Sequence, residues 1–565
     1  MTQVTRRGLL GGAALGTIGS TIGLAACGSA AARTYSGEVA FQHGVASGDP
    51  LPNRVILWTR VTPLSGAGPI PVRWEVLRPG QSEPVASGMV EAAEGRDFTV
   101  KVDAGGLAPG SDYVYRFTAL TEHGDITSPE GRTRTPAASG TSAVNIAITS
   151  CSHYSFGRFN AYRAMAAERN LDAIVHLGDY IYEYGIDGYG SEVGAQLGRL
   201  HEPSTEIITL ADYRRRHAQY KTDADLQAAH AAAPWICTWD DHESANDSYR
   251  TGAQNHNPEE GEGEWSDRKQ VAIQAYFEWM PIREPVPGEV TSAVWRTFRF
   301  GDVATLHALE TRLTGRSPSM SWGPALAGAS DPAGVGARVQ ATLQEAADPA
   351  RTMLGAEQEA WLNQELANSV AAGAAWQMLA SQVIMARVVL PNFAATLTPA
   401  QIAAQDMPEV RAFLPFSALG LPWNLDAWDG YPAARERLYE SVASAGARLI
   451  ALAGDTHTAY ANELYDGRDM RRGVEFGCTS ITSPGMGAYV KAVPDLGQRI
   501  ADVNKEVVWH DPFGHGYTLV SLTPSRARAV FRKVSDIYGE SFTTETAATY
   551  EASAEPGGVS ELRAV

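Results

Sequence analysis

A short apolar run that stops at a glycine and an aspartate constrains this chain most strongly. Residues 173–177 read Ala-Ile-Val-His-Leu, and Gly178 and Asp179 follow directly. A continuous apolar run that ends at glycine predicts a central strand in a sheet covered on both faces. Ligands of such sheets bind beyond the carboxyl ends of the strands. The sequence therefore predicts that the Asp179 carboxylate points into a binding site.

Tyr182 lies three residues beyond Asp179. If the chain turns helically after the strand, the carboxylate and the phenol share one face. Two oxygen donors placed together at a strand end suggest ligands of a hard metal ion. An aspartate that caps a helix beside a packed tyrosine would give the same pattern. These two residues alone leave both interpretations open.

Three further apolar runs end on polar side chains. They cover residues 144–149, 234–238 and 448–453. If their carboxyl ends meet at one sheet edge, the polar residues that follow lie close together. Their mixture of thiol, carboxylate, amide and imidazole, with the Tyr182 phenol, suits a site with more than one metal ion. These residues are Cys151, Asp240, Asp241, His242, Asn246, Asp455 and His457.

Six short motifs occur in a fixed order over roughly residues 40 to 535. They are Phe41–Pro50, Gly178–Tyr182, Trp239–Glu243, Leu354–Gln358, Trp428–Tyr431 and Gly454–His457. Together they resemble the PhoD-type alkaline phosphatases and phosphodiesterases, a family of calcineurin-like metallophosphoesterases. The resemblance implies an α/β metallophosphoesterase core with covered β-sheets. It also implies a phosphoric ester hydrolase that cleaves phosphodiesters and/or phosphomonoesters with a metal-activated water.

The resemblance further implies a set of metals and ligands. One Fe³⁺ and one or two Ca²⁺ are expected, with Zn²⁺ or Mn²⁺ as the alternative. Asp179 would bridge the iron and a calcium ion. The wider superfamily has Gly-His-x-His where this chain has Gly454-Asp-Thr-His457, and an oxygen donor in place of imidazole favours Ca²⁺. The expected ligands are Cys151, Asp179, Tyr182 and His457 for iron, and Asp179, Asn246 and Asp455 for calcium.

Each of several further residues near these motifs is consistent with two roles. Arg312 aligns with a family arginine and is expected to bind phosphate, with a surface salt bridge as the alternative. His242 would contact phosphate or support the metal ligands, and Asp241 leaves the same choice open. With Asp179, Asn246 and His457, Arg312 and His242 form the predicted catalytic set. His153 would be a metal ligand by superfamily analogy, or a group on the substrate side.

The first 35 residues have the features of an export signal. Arg6 and Arg7 form a twin arginine, which would recruit the Tat export machinery. Residues 24–27 resemble a lipoprotein cleavage box, so Cys27 is expected to be lipidated; ordinary cleavage nearby is the alternative. The predicted location is periplasmic or on the cell surface.

At 565 residues, the chain should contain at least two domains. Short strands in residues 36–140 predict an immunoglobulin- or fibronectin-like β-sandwich, and the catalytic domain would cover residues 141–545. Residues 546–565 are expected to be a tail. Helices are predicted at 157–170, 210–232 and 358–371, and residues 324–336 form a predicted loop that could cover the site.

The composition limits the functions that this chain can have. A net charge of −18 argues against a nucleic-acid-binding partner beyond a substrate, because both surfaces would repel each other. Two other functions stay open: a purple-acid-phosphatase-like Fe/Zn or Fe/Mn monoesterase, and a lipid-anchored surface binding protein with a vestigial site.

The sequence also leaves open whether Cys237 and Cys478 form a disulfide.

Overall fold

The structure is a computed structural model that describes residues 34–284, 294–328, 331–403, 411 and 414–565. The predicted export signal, including Cys27, therefore lies outside the described residues except for its last two positions. In the part of the chain that is described, no helix has both the length and the apolar character needed to cross a membrane.

A large mixed sheet, here called the first sheet, runs through the whole molecule and contains eleven described strands. Its strands Val144–Thr149, Ala173–His176 and Trp235–Cys237 are parallel to one another. In spatial order the strands are Gly558–Val559, Thr544–Glu555, Arg526–Val534, His515–Thr523, Val144–Thr149, Ala173–His176, Trp235–Cys237, Val45–Leu51, Arg54–Arg60 and Thr99–Gly105, with Arg563–Ala564 beside Thr544–Glu555.

The second sheet has seven described strands and also mixes parallel and antiparallel pairs. In spatial order they are Arg296–Phe300, Ala304–Ala308, Trp376–Ala380, Leu449–Ala453, Arg471–Gly477, Ala459–Tyr465 and Val507–Asp511. Side chains of both sheets form one buried apolar core, to which Ile146, Val175, Ile450 and Leu452 contribute. The two sheets therefore pack face to face.

Helices cover the outer faces of both sheets, which matches the predicted covered α/β core. On the first sheet the helices include Asn160–Ala166, Leu210–Lys221, Ala224–Ala232 and Trp265–Trp279, and on the second Gly355–Ala371 and Pro432–Ala445. The other helices are Ser191–Leu197, Trp322–Leu326, Pro332–Ala346, Phe393–Thr396, Pro399–Ala403, Met486–Tyr489 and Leu496–Val503. Single 3-10 turns occupy Glu94–Arg96, Tyr154–Phe156, Pro258–Glu260, Leu414–Leu419 and Trp428–Gly430.

The arrangement of the predicted strand ends differs from the expectation of one sheet edge. Three of the four strands lie in the first sheet, but Leu449–Ala453 lies in the second. A β-bridge between Ser150 and Ser480 joins the two sheets where these strands end. The site therefore lies where the ends of two packed sheets meet, a tertiary feature that apolar runs do not reveal.

Two predicted elements have different boundaries because capping residues interrupt them. The predicted helix 210–232 is two helices, since the Asp223 carboxylate accepts the backbone N–H groups of Asp225 and Leu226 and starts a second helix. The predicted loop 324–336 contains helices Trp322–Leu326 and Pro332–Ala346. Asp331 caps the longer helix and proline occupies its first position.

The amino-terminal strands form two packed sheets, and one of these sheets continues into the catalytic region. Strands Val45–Leu51, Arg54–Arg60 and Thr99–Gly105 extend the first sheet. Their apolar residues pack against a five-stranded sheet. Gly48 pairs with Trp235 at the junction, where a Cβ at Gly48 would lie 2.7 Å from the Trp235 carbonyl oxygen. The five strands are Gly131–Arg134, Asp112–Ala119, Ile70–Leu77, Pro84–Ala92 and Ile126–Thr127, and a separate pair joins Val39–Ala40 to Thr62–Pro63.

The carboxyl-terminal residues also belong to the fold. Residues 546–565 were predicted to form a tail, but Thr544–Glu555 is a twelve-residue strand that pairs with Arg526–Val534. Tyr550 and Ala552 of this strand contribute to the core between the sheets. In this segment of the sequence, apolar residues do not alternate regularly with polar ones, so no strand was predicted there.

Lys221 is buried where the amino-terminal strands meet the catalytic region. Its Nζ lies 3.2 Å from His230 Nε2 and 4.5 Å from the ring centre of Trp58. Burial lowers the pKa of Lys221 to about 7. In the unfolded chain the ammonium group regains its ordinary pKa of about 10.4.

We expect this lysine to make stability rise with pH. Between pH 7 and 10 the unfolded state binds more protons at this position than the folded state, so the free energy of unfolding increases as pH rises. Lys221→Met should remove up to about 3 kcal/mol of the increase between pH 7 and 9.5. Urea unfolding at both pH values tests this, and identical pH dependence in the two proteins would contradict it.

Candidate metal centre

The predicted ligands converge on one cavity of about 380 Å³. Cys151 follows strand Val144–Thr149 and Asp179 follows strand Ala173–His176, while Asp455 and His457 follow strand Leu449–Ala453. The residues that line the cavity include Asp179, Asp241, His242, Asn246, Asp455 and His457. The structure thus brings together residues that are more than 300 positions apart in the sequence.

Four predicted iron ligands form one tight group. Donor atoms of Cys151, Asp179 and His457 all lie within 4.8 Å of one another. The Tyr182 hydroxyl donates to Asp179 Oδ2 at 3.1 Å and lies 3.4 Å from His457 Nε2. The Ser483 hydroxyl is 2.6 Å from the Tyr182 oxygen and fixes the phenol in this place. A thiol, a carboxylate, a phenol and an imidazole therefore face one point.

The backbone at this group is strained. Cys151, Asp179, Asp455 and His457 all have φ between +55° and +60°, in the left-handed region that side chains disfavour. Each such residue costs on the order of 1 kcal/mol, so the surrounding structure must hold it in place. Strain at four candidate ligands, each just past a strand end, indicates that the fold is built to position them.

Two more groups of donors continue from the first. One contains Asp179, Asp241 and His242, and the other contains Asp240, Asp241 and Asp455. Asp179 is shared by the first two groups and Asp241 by the last two. Asp179 Oδ1 and Asp240 Oδ2 are buried and have no hydrogen-bond partner among the described residues. Unpartnered buried carboxylate oxygens fit bound cations, so the residues suit the metals that the sequence predicts.

The electrostatics of the cluster also require positive charge. Burial and then the neighbouring carboxylates raise the pKa of Asp455 well above its usual range. Burial also raises the pKa of Asp179, and it raises the pKa of Asp240 to about 6 although Arg312 opposes the shift. Acids packed this closely cannot all ionise without a compensating charge. A cation at the shared oxygens would allow the cluster to carry its full charge.

Arg312 lies behind the acids rather than in the cavity. It is completely buried, and its three guanidinium nitrogens donate to the carboxylates of Asp240, Asp426 and Asp455. It is absent from the described residues that line the cavity. Neither predicted role, phosphate binding or a surface salt bridge, describes this position. The structure favours a buried counter-ion that holds three acids in register.

His242 and Asn246 are both oriented by Glu183. The Glu183 carboxylate lies 2.7 Å from His242 Nδ1 and accepts the Asn246 backbone N–H at 2.8 Å. Burial opposes protonation of His242, but the Glu183 and Asp241 carboxylates outweigh it and raise the pKa of His242. The Asn246 amide nitrogen donates to Gln254, which leaves the amide oxygen as the atom that could bind a metal.

Glu243 supports the site, although the sequence analysis assigned it no role. Its carboxylate accepts the backbone N–H groups of Asp179 at 3.1 Å, Tyr180 at 2.5 Å and Asp240 at 2.8 Å. It thereby joins the ends of two neighbouring strands. The motif Trp239–Glu243 contained this residue, but its contacts depend on the tertiary structure. Glu183, Asp426 and Ser483 were missed for the same reason.

The structure also shows the contacts of three other residues that the sequence analysis considered. His153 packs its ring against Tyr182, and its Nε2 is buried without a partner among the described residues. His153 is absent from the donor groups found in the described part of the chain. Cys237 and Cys478 are both free, so they do not form the disulfide that the sequence left open. Cys478 Sγ instead lies 3.4 Å from Ser150 Oγ, beside the proposed ligand Cys151.

Two known proteins are similar to this chain over most of its length. Alkaline phosphatase D of Bacillus subtilis (strain 168) is 36% identical over 509 residues, which cover 87% of this chain and 77% of that protein. A solved structure titled "Structure of PhoD" superposes with a TM-score of 0.74 at 33% identity, and covers 94% of this chain and 92% of that chain. With the site above, these likenesses define a phosphoric ester hydrolase.

The family matches cover both regions of the fold. Residues 146–531 match the PhoD-like phosphatase family, and residues 26–137 match the PhoD-like phosphatase N-terminal domain. The chain therefore belongs to the PhoD-like phosphatase family. The findings favour neither the purple-acid-phosphatase-like enzyme nor the vestigial surface protein.

Gly178 offers a direct test of how the fold positions Asp179. Its φ is +101°, and a Cβ there would lie 2.4 Å from the backbone nitrogen of Asp240. We expect Gly178→Ala to displace the Asp179 loop and to reduce phosphoester hydrolysis at least 100-fold. Metal content and activity of the purified protein measure this effect.

Gly198 provides the matched control. It also has a positive φ, +66°, but an added Cβ would meet no atom within 4 Å. Gly198→Ala should lower the free energy of unfolding by about 1 kcal/mol and leave activity unchanged. Normal activity in Gly178→Ala would show that the close approach to Asp240 does not position the site.

Proposed function

We propose that this protein is an exported phosphoesterase that hydrolyses phosphodiesters and/or phosphomonoesters at a centre of more than one metal ion. The observation that carries the proposal is that the donor group of Cys151, Asp179 and His457 lies next to the donor group of Asp240, Asp241 and Asp455, because Asp179 and Asp241 also lie close to each other. Asp179, Asp241, Asp455 and His457 line one cavity. Shared carboxylates are the usual means by which a protein holds metal ions close to each other.

The donor chemistry supports different ions at the two ends of the cluster. Cys151, Tyr182 and His457, with the Asp179 carboxylate, would hold Fe³⁺. Asp179, Asn246 and Asp455 offer oxygen atoms only and would hold Ca²⁺. Asp240 and Asp241 lie in the donor group with Asp455 and could bind a further Ca²⁺. Zn²⁺ or Mn²⁺ is the alternative at either end.

Bound cations would neutralise phosphate oxygens and would lower the pKa of water, so that it loses a proton and supplies the hydroxide that attacks phosphorus. The protein itself sets the protonation states of His457 and His242, which both line the cavity. His457 Nδ1 lies 3.1 Å from the Pro484 carbonyl oxygen, so it carries the proton and Nε2 offers a lone pair toward Tyr182 and Asp179. Burial lowers the pKa of His457 to about 4, which keeps this imidazole neutral.

His242, in contrast, is protonated and positively charged. Its ion pair with Glu183 holds it protonated at the wall of the cavity. A protonated imidazole there can donate a hydrogen bond to a phosphate oxygen and can help to neutralise the developing charge. Arg312 supports the site indirectly, because it holds Asp240 and Asp455 from behind. In this proposal His242 contacts the substrate and Arg312 is a positioning residue.

The proposal also includes an export signal and two domains. Arg6 and Arg7 would direct the folded protein to the Tat machinery, and Cys27 would carry a lipid anchor at the cell surface or in the periplasm. Residues 36–140 would form the immunoglobulin-like domain of the predictions and residues 141–545 the catalytic domain. The match of residues 26–137 to the family's N-terminal domain supports a distinct amino-terminal unit.

Hydrolysis assays with controlled metals test this function. We expect the purified protein to cleave bis-p-nitrophenyl phosphate, p-nitrophenyl phosphate or both. Removal of calcium by a selective chelator should reduce the rate at least tenfold, and added Ca²⁺ should restore it. The rate is measured as nitrophenolate release, together with elemental analysis of the same samples. Full activity after calcium is shown to be absent would contradict the calcium assignment.

A further inference from the structure

The residues that line the cavity are of two chemical kinds. The acids and histidines form one set, and the other set is uncharged and includes large apolar side chains. In the second set, Trp322 and Met486 are buried, and Trp423 and Tyr489 are half-buried. We call these four residues the apolar wall. The proposed metal chemistry uses none of them.

Hydrogen bonds link the segments that carry Trp322 and Trp423 to each other and to Asp426. Trp322 Nε1 donates to the Pro422 carbonyl oxygen at 2.7 Å, which joins the helix Trp322–Leu326 to the segment that carries Trp423. Four residues further along, the Asp426 carboxylate accepts a hydrogen bond from Ser319 at 2.6 Å and binds Arg312. The position of the wall is therefore fixed relative to the acids.

The charge of the cavity restricts what else can bind there. Among the described residues that line it, none is a lysine or an arginine. Among these described lining residues, His242 and His457 are the only basic side chains. In the proposed function His457 would bind iron and His242 would contact the reacting phosphate. The whole chain carries a net charge of −18. A second negative group on the substrate would find no countercharge at the apolar wall.

We infer that the apolar wall is a subsite for the organic group of the ester and that it selects an apolar or aromatic group without additional negative charge. This inference rests on the proposed function, because it assigns the acids and histidines of the cavity to the metal ions and the reacting phosphate. An aromatic or alkyl group would pack on the Trp423 and Tyr489 rings and on the Met486 thioether. Polyphosphates and esters with a carboxylate beside the phosphate would be poor substrates.

Esters with matched leaving groups test this inference. Ethyl phosphate and 2-phenylethyl phosphate release similar alcohols and differ by one ring, and 2-carboxyethyl phosphate adds one negative charge. In the metal-loaded protein, we expect kcat/KM for the phenylethyl ester to exceed that for the ethyl ester at least tenfold. We expect the carboxyethyl ester to be at least tenfold poorer than the ethyl ester.

Variants then assign the selectivity to the wall. Trp423→Ala should reduce the preference for the phenylethyl ester at least fivefold, mainly through KM, and should leave kcat/KM for ethyl phosphate within twofold. Tyr489→Ala provides a second variant with the same expected direction if Trp423→Ala does not fold. Trp74→Ala is the matched control, because Trp74 is a half-buried tryptophan in the amino-terminal sheet, and it should leave the preference unchanged.

The outcomes separate this inference from the proposed function. Equal kcat/KM for the ethyl and phenylethyl esters, or an equal loss for both in Trp423→Ala, would overturn the subsite while the protein remained a phosphoesterase. If the metal-loaded protein hydrolyses none of the three esters and no nitrophenyl mono- or diester, the proposed function fails and the subsite fails with it.

Discussion

The carboxylate of Glu243 is the interaction on which the site depends. By accepting three backbone N–H groups, it ties the loop after strand Ala173–His176 to the loop after strand Trp235–Cys237. Asp179 and Asp240 are thereby held in place through their backbone as well as through the contacts of their side chains. Burial raises the pKa of Glu243 to about 8, because burying its charged carboxylate costs free energy.

A second constraint comes from the meeting of two sheets. Asp179 and Asp241 come from the first sheet and Asp455 and His457 from the second, so the centre exists only when the sheets pack together. Arg312 crosses this junction, since it binds Asp240 on one side and Asp455 on the other. Loss of a fully buried arginine would leave several uncompensated acids. We therefore attribute the placement of the acids to a shared buried cation as well as to the strands.

The sequence predicted those parts of the site that local patterns encode. An apolar run followed by Gly178 and Asp179 identifies a strand and the donor at its end, and the same reasoning located Cys151 and His457. Glu183 and Asp426 gave no such signal, because their roles arise from contacts with residues 59 and 114 positions away. The role of Arg312 was misjudged for the same reason, since a sequence motif does not show which way a guanidinium faces.

The sequence predicted sheets that are covered by helices, but it did not predict which strands pair with each other. Runs of β-branched and other apolar residues located strands such as Arg54–Arg60, but they carry no information about the partner strand. The junction at Gly48 makes the amino-terminal strands part of the catalytic sheet. The helix Pro332–Ala346 was missed because its many small residues resemble a loop, although Asp331 and Pro332 are good starting signals.

The central claim is that the shared carboxylate of Asp179 holds two metal ions together. Elemental analysis of the wild-type protein, Asp179→Ala and the exposed control Asp187→Ala tests it most directly. The account predicts that Asp179→Ala loses both kinds of ion and all activity while remaining folded, and that Asp187→Ala retains both. A folded Asp179→Ala protein that keeps both metals at the wild-type ratio would contradict the account.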